Sequence, residues 1–228
     1  MAETLHDVRF PGESDDYRAA RDRLLRAEIE LRDRLASVAE LRRALPLGGH
    51  VAHDYVFDDA SGPETRAVRL SELFAPGKDS LIIYSFMYGP AMQQPCPMCS
   101  CFLDGVNAHA PHLEQRVNVV VVAKSPAERL RAWIAKRGWS RLRLLSSATN
   151  TYNVDYAAEA PDGRQNPACN VFVKRPDGIH HFWAAEMLYA PVEGHHPRHV
   201  DLLWPIWSFF DLTPEGRGTD WMPKLSYD

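Results

Sequence analysis

Leu81-Ile82-Ile83-Tyr84-Ser85-Phe86-Met87 runs through a turn-rich stretch into Pro95-Cys96-Pro97-Met98-Cys99. The first segment is almost unbroken in apolar character and is bounded by turn residues, as expected of a central strand covered on both faces. Beyond the cysteines, Phe102, Leu103, Val106 and His109 predict a helix that Pro111 should kink or restart before Leu113. The two cysteines therefore fall where a buried strand hands over to a helix.

That position has chemical consequences. Cysteines three apart in a first helical turn lie on nearly one face with Cβ atoms roughly 5–6 Å apart, within reach of a reversible disulfide. At the helix N-terminus, unpaired N–H groups and the macrodipole favour thiolate over thiol, which makes Cys96 the expected nucleophile. Cys99, a turn further in, is the expected resolving thiol. Pro97 suits the helix start because its missing N–H has no intrahelical partner there. Pro97 and Met98 together set the local dipoles around the Cys96 sulfur. A third proline, Pro167, stands three residues before Asn170-Val171-Phe172 and is the best-placed candidate for a cis-proline loop facing the dithiol, a substrate-positioning element.

The same thiols have a competing reading as metal ligands. Cys96 and Cys99 with His180 or His181 make a soft donor set for Cu(I) or Zn(II). A closed structural zinc site normally has four ligands, and no second Cys-x-x-Cys stands nearby, so the redox reading takes precedence with no cofactor. Cys101 lies about 200° around a helix from Cys99 and is left outside the site. Cys169 reads as a buried structural thiol, and Lys124, at a strand end, as a surface lysine by default. His195-His196-Pro197-Arg198-His199 reads as a solvated loop.

Working outward, Val117–Ala123 is a second buried-strand signal, Pro126–Lys136 a helix stopped by Gly138, and 142–146 a third strand. This alternation predicts a largely parallel sheet. Asn170–Lys174 and Ile179–Trp183 flank an Arg175-Pro176-Asp177-Gly178 turn as a hairpin, and Tyr55–Asp59 with Ala67–Phe74 form another that feeds a helical turn. An aromatic-rich helix over 200–211 is expected to cover the sheet. Near the N-terminus, Ser14 is a plausible cap for a long helix in which Tyr17, Leu24, Leu31, Val38 and Leu45 recur every seven residues. The expected domain division is a helical arm, 1–49, and a redox domain, 50–228. The arm's apolar face is expected to be covered by the domain or by a second copy of the chain, a homodimer.

Composition agrees with a globular chain: 228 residues, 45% hydrophobic and 25% charged. A net charge of -4 supplies no electrostatic reason to bind nucleic acid or anionic lipid. No apolar run is long enough to span a bilayer, and the first residues lack the features of a secretory signal, so a cytoplasmic location is expected. In that reducing setting, Cys-x-x-Cys beside an α/β pattern points to redox or metal chemistry.

Several segments together carry a family resemblance: Phe10-Pro11-Gly12-Glu13-Ser14, Tyr84-Ser85-Phe86-Met87, Pro95-Cys96-Pro97-Met98-Cys99, Phe102-Leu103-Asp104-Gly105, Ala123-Lys124-Ser125-Pro126, Thr151-Tyr152-Asn153, His180-His181-Phe182-Trp183 and Leu212–Gly218. The chain resembles, almost end to end, the bacterial thioredoxin-like family catalogued as domain of unknown function 899, whose members are described as predicted dithiol-disulfide oxidoreductases. The resemblance implies an α/β thioredoxin-like fold, a central mixed sheet flanked by helices with an N-terminal helical extension. It also implies Cys96 and Cys99 as the redox pair. The family has no settled substrate; the dithiol itself calls for a thiol, disulfide or oxidised-sulfur substrate, small molecule or protein, and an external thiol reductant. The front half also resembles peroxiredoxins, but their Pro-x-x-x-Thr-x-x-Cys pattern is missing, because Gly89 and Gln93 stand seven and three residues before Cys96.

Overall fold

A computed structural model describes residues 5–190, 203–218 and 220–227. The chain divides into two compact units, Met1–Pro46 and Leu47–Asp228.

The first unit is built on one helix, α1 (Asp15–Arg43). Ser14 caps it, its hydroxyl accepting from Tyr17 N at 3.2 Å. Asp15 and Asp16 in the first turn and Arg42 and Arg43 in the last complement the helix dipole. Arg18 pairs with Glu13 and lies 3.7 Å from Asp22, while the Phe10 ring sits beneath the guanidinium groups of Arg18 and Arg21. Four members of the sevenfold apolar row are exposed, Leu24 by 50% and Leu31 by 60%, while Val38 is half-buried. Among the described residues of this unit no second helix or strand covers that face.

The second unit is a seven-stranded mixed sheet. Its strands are β1 (Val56–Asp59), β2 (Arg66–Arg69), β3 (Ser80–Ser85), β4 (Asn118–Ala123), β5 (Leu144–Ser146), β6 (Ala168–Arg175) and β7 (Gly178–Ala184), in the order β2-β1-β5-β4-β3-β6-β7. Only β3, β4 and β5 run parallel; β6 and β7 are antiparallel on one side, and the β1–β2 hairpin is antiparallel on the other. The sheet is therefore less parallel than the alternation of strands and helices predicts, because both hairpins join it. The sub-order β4-β3-β6-β7, with helix α2 (Pro97–Leu113) following the central strand β3, is the thioredoxin-like core. Among the described residues the remaining α-helices are α3 (Ala127–Arg137), α4 (Tyr152–Asp155) and α5 (Ile206–Phe210).

Alternate residues of β3 feed two cores. Tyr84 joins Phe86, Cys99, Phe102, Leu103, Leu130, Trp133, Trp139, Trp204 and Trp207 on one face, while Leu81 and Ile83 join Phe57, Leu70, Val120, Val122, Tyr152 and Phe172 on the other. Helices α2 and α3 are tied by Asp104, whose carboxylate accepts from Arg137 Nε at 2.9 Å and from the Trp139 indole at 2.8 Å. Gly138, left-handed at φ 73°, ends α3 as expected.

Several expectations need correction. Pro111 does not break α2: it lies in the last turn, where only one backbone bond is forfeited. The final helix is shorter than 200–211, beginning after Pro205, and residues 200–202 lie outside the described segments. Every described peptide bond is trans, the one before Pro167 included.

Candidate redox site

The handover from β3 to α2 is held by backbone bonds. Cys96 is the N-cap of α2, and its N–H donates to Met87 O at 3.0 Å, closing the intervening loop on the strand it leaves. The Cys96 carbonyl accepts from both the N–H and the hydroxyl of Ser100 at 3.0 Å. Pro97 is exposed at the first helical position, while Met98 is half-buried against the Trp204 core.

The two thiols differ in surroundings. Cys96 is half-buried at the helix mouth, whereas Cys99 is 3% exposed; both are free. Cys96 is lowered to about 6, first by the Cys99 thiol donating to it and then by the N–H groups of Cys99 and Met98 that it faces, against an opposing desolvation. Its sulfur does not reach the geometry of a regular cap hydrogen bond, so the neighbouring thiol matters most. Burial pushes Cys99 the other way, well above the usual thiol range, and the thiolate on Cys96 reinforces this. The Tyr84 hydroxyl faces Cys99 from the floor of the site and is raised by burial, then by the same thiol.

The loop over the dithiol is braced by residues whose role has no signature in the sequence. The Arg129 guanidinium lies 4.3 Å over the Tyr88 ring and donates to the carbonyls of Gly89, Pro90 and Met92. The Ser125 hydroxyl donates to Tyr88 O at 2.6 Å. Gly89 is required there, since a Cβ would meet Gln165 Cγ at 2.7 Å. Lys124 is structural: its ammonium donates to Asn150 O at 2.6 Å and lies 3.6 Å from Glu159.

Pro167 directly precedes β6, whose residue Ala168 pairs with Ser85, so it stands at the same end of the sheet as the dithiol but in the trans form. Cys169 pairs with Tyr84 across the ladder and burial pushes it up to about 12. Cys101 is half-buried and raised by burial and by Asp104, with Trp204 rather than the dithiol as its polar neighbour.

The structure does not bring His180 or His181 to the cysteines. His180 lies 3.2 Å from Asp177 and edge-on to His50. His181 pairs with Asn170 Oδ1 at 3.0 Å and packs on Phe172, in the core of the other sheet face, where it lines a pocket of about 540 Å³ with Asn170, Tyr156 and Glu186. Among the described residues no group of three or more His, Cys, Asp and Glu side chains is arranged to hold a metal ion, so the donor set of Cys96, Cys99 and a histidine is not assembled. Residues 195–199 lie outside the described segments. No described helix is long and apolar enough to cross a membrane.

Among solved structures, the chain is similar to peroxiredoxin Q of Xanthomonas campestris (16% identity, 62% of this chain and 85% of that one, TM-score 0.44). It is also similar to peroxidoxin BcpB of Mycobacterium tuberculosis (21% identity, 70% and 94%, TM-score 0.44) and AhpC of Enterococcus faecalis (16% identity, 69% and 87%, TM-score 0.46). A comparison with curated proteins finds no match. A family model matches residues 8–227, and the chain belongs to that family, described as bacterial protein of unknown function, DUF899.

Proposed function

We propose that the protein is a thiol-disulfide oxidoreductase in which Cys96 is the nucleophile and Cys99 the resolving thiol. The observation that carries this reading is the placement of two free thiols one turn apart, Cys96 half-buried as the N-cap of α2 and Cys99 buried behind it, surroundings that lower Cys96 to about 6 and raise Cys99. A thiolate present at neutral pH beside a protonated, shielded partner is the ground state that dithiol exchange starts from.

In the first step the Cys96 thiolate attacks one sulfur of a substrate disulfide, forming a mixed disulfide and releasing the other substrate sulfur as a thiolate. Cys99 then loses its proton to that leaving thiolate or to water and attacks Cys96 Sγ. The Cys96–Cys99 disulfide forms, and the second substrate sulfur departs as a thiolate. Two electrons have passed from the dithiol to the substrate, and an external thiol reductant restores the pair. Tyr84, facing Cys99, orients the resolving thiol. Pro97 and Met98 border the mouth where a substrate sulfur must approach, and Pro167 stands at the same sheet end.

Incubation of the reduced protein with dithiobis(nitrobenzoate), followed by intact-mass measurement, tests the scheme. The native protein should release two thiolates and finish without adduct. Cys99→Ser should release one and keep a mixed disulfide on Cys96, and Cys96→Ser should react at least about tenfold more slowly. Equal rates for the two single variants would overturn the assignment.

A further inference from the structure

Helix α1 carries more order than solvent requires. Taking Tyr17, Leu24, Leu31 and Val38 as position a of a heptad within α1, position d falls at Ala20, Ala27, Arg34 and Leu41; Leu45, next in the row, lies just past the helix. A sevenfold repeat suits a left-handed supercoil with a like helix; an isolated straight helix drifts off it by about 20° per heptad. Most of the face is open, with Leu24 50%, Leu31 60% and Leu41 65% exposed and Val38 half-buried.

The flanking positions name the occupant. Position g holds Asp16, Arg23, Glu30 and Ser37, and position e holds Arg21, Glu28, Leu35 and Arg42. In a parallel, in-register pair each g residue meets the e residue five positions later on the partner. Asp16 then faces Arg21 and Arg23 faces Glu28, each twice by symmetry, and no like charges meet at these flanks. All four side chains are exposed, and among the described residues none of the four has an ion-pair partner within its own chain. We infer that a second copy of this chain covers the face, as a parallel, in-register α1–α1 coiled coil.

Arg34 at d is the weak layer. Two guanidinium groups at the seam must splay their stems along it and carry their charges outward, so the dimer is concentration-dependent and strongest over the turns before residue 34. The inference is independent of the dithiol chemistry.

Sedimentation of the full chain over a wide concentration range, with helix content followed by circular dichroism, tests it. The native chain should show a monomer–dimer equilibrium that added salt weakens. Arg23→Glu and Glu28→Arg should each weaken self-association at least about tenfold, since every attractive contact at that layer becomes repulsive. An equimolar mixture of the two single variants should recover dimers of native strength, because each chain then meets its complement at both flanks, and the double variant should recover as well. Leu24→Glu should abolish association with helix content kept. A native chain that stays monomeric, or single charge variants that dimerise as well as the native chain, would overturn the inference. So would a mixture no tighter than its components.

Discussion

The two faces of one strand meet different fates. Tyr84 and Ser85 are neighbours in β3, yet the Tyr84 side faces the thiols of Cys96 and Cys99 at the mouth of α2, whereas Ile83 and Phe172 build a core of aliphatic chains and tyrosine rings with no nucleophile. Both faces bury large side chains completely, Phe86 on one and Phe172 on the other. The difference is that one face ends at a helix N-terminus and the other does not. Strand pairing supplies stability to both, and the loop that turns β3 into α2 confers reactivity on one alone.

The comparison breaks most sharply if the faces are not parts of one cooperative core. Phe86→Ala and Phe172→Ala should each cost about 3–5 kcal/mol in denaturant unfolding with an unchanged m-value. A change in m confined to one variant would show that its face unfolds separately.

A smaller effect sharpens the contrast through pH. The buried thiols of Cys99 and Cys169 and the buried phenols of Tyr84 and Tyr152 are all raised in the folded chain, chiefly by burial. Each is neutral when protonated, so as pH rises past its ordinary range the unfolded chain releases the proton first. The stability these four groups contribute is therefore full below about pH 8.5 and falls above it, by up to about 1.4 kcal/mol per pH unit for each group. Chemical denaturation between pH 8 and 11 should show that fall. Cys169→Ala should flatten it by one group's share on the thiol-bearing face, and Tyr152→Phe should do so on the other; unchanged slopes would contradict the burial account.

The smallest effect lies in the arm. Ser14→Ala removes the hydroxyl that accepts from Tyr17 N and should lower the stability of α1 by about 1 kcal/mol, seen as faster amide exchange in its first turn. Reactivity of Cys96 should be unchanged, and a coupled change would mean that arm and dithiol are linked.

What sequence reading reaches and misses follows from the range of the interactions. The β3–α2 handover, the two hairpins and the Ser14 cap rest on neighbours in the chain, so their patterns are visible in the residues themselves. The joining of β1 to β5 rests on partners more than eighty residues apart, through pairs such as Asp58 with Ser146, and nothing local announces it. Arg129 looks like any cation on the outer face of α3, and only the folded loop beneath it makes it a brace. Pro167 is placed at the right end of the sheet by its distance from Asn170, but its isomer depends on tertiary packing, which holds it trans. For the histidines, adjacency in a strand predicts that His180 and His181 part to opposite sides. Which core each one meets depends on the register of β6 and β7 and its irregularity at Val171/Phe172.

The central claim is that α2 and Cys99 together make a thiolate of Cys96 and leave Cys99 a thiol. Alkylation of the fully reduced protein by iodoacetamide across pH 4–10, with each cysteine followed by peptide mass spectrometry, tests this most directly. Cys96 should label first, with a rate that rises through a midpoint near 6, the value to which its surroundings lower it, while Cys99 and Cys169 stay unlabelled until the protein unfolds. In Cys99→Ser the Cys96 midpoint should move upward, because a thiol held against it is replaced by a shorter hydroxyl. A Cys96 midpoint near the ordinary thiol value of about 8.5, with Cys99 labelled at the same rate, would contradict the account.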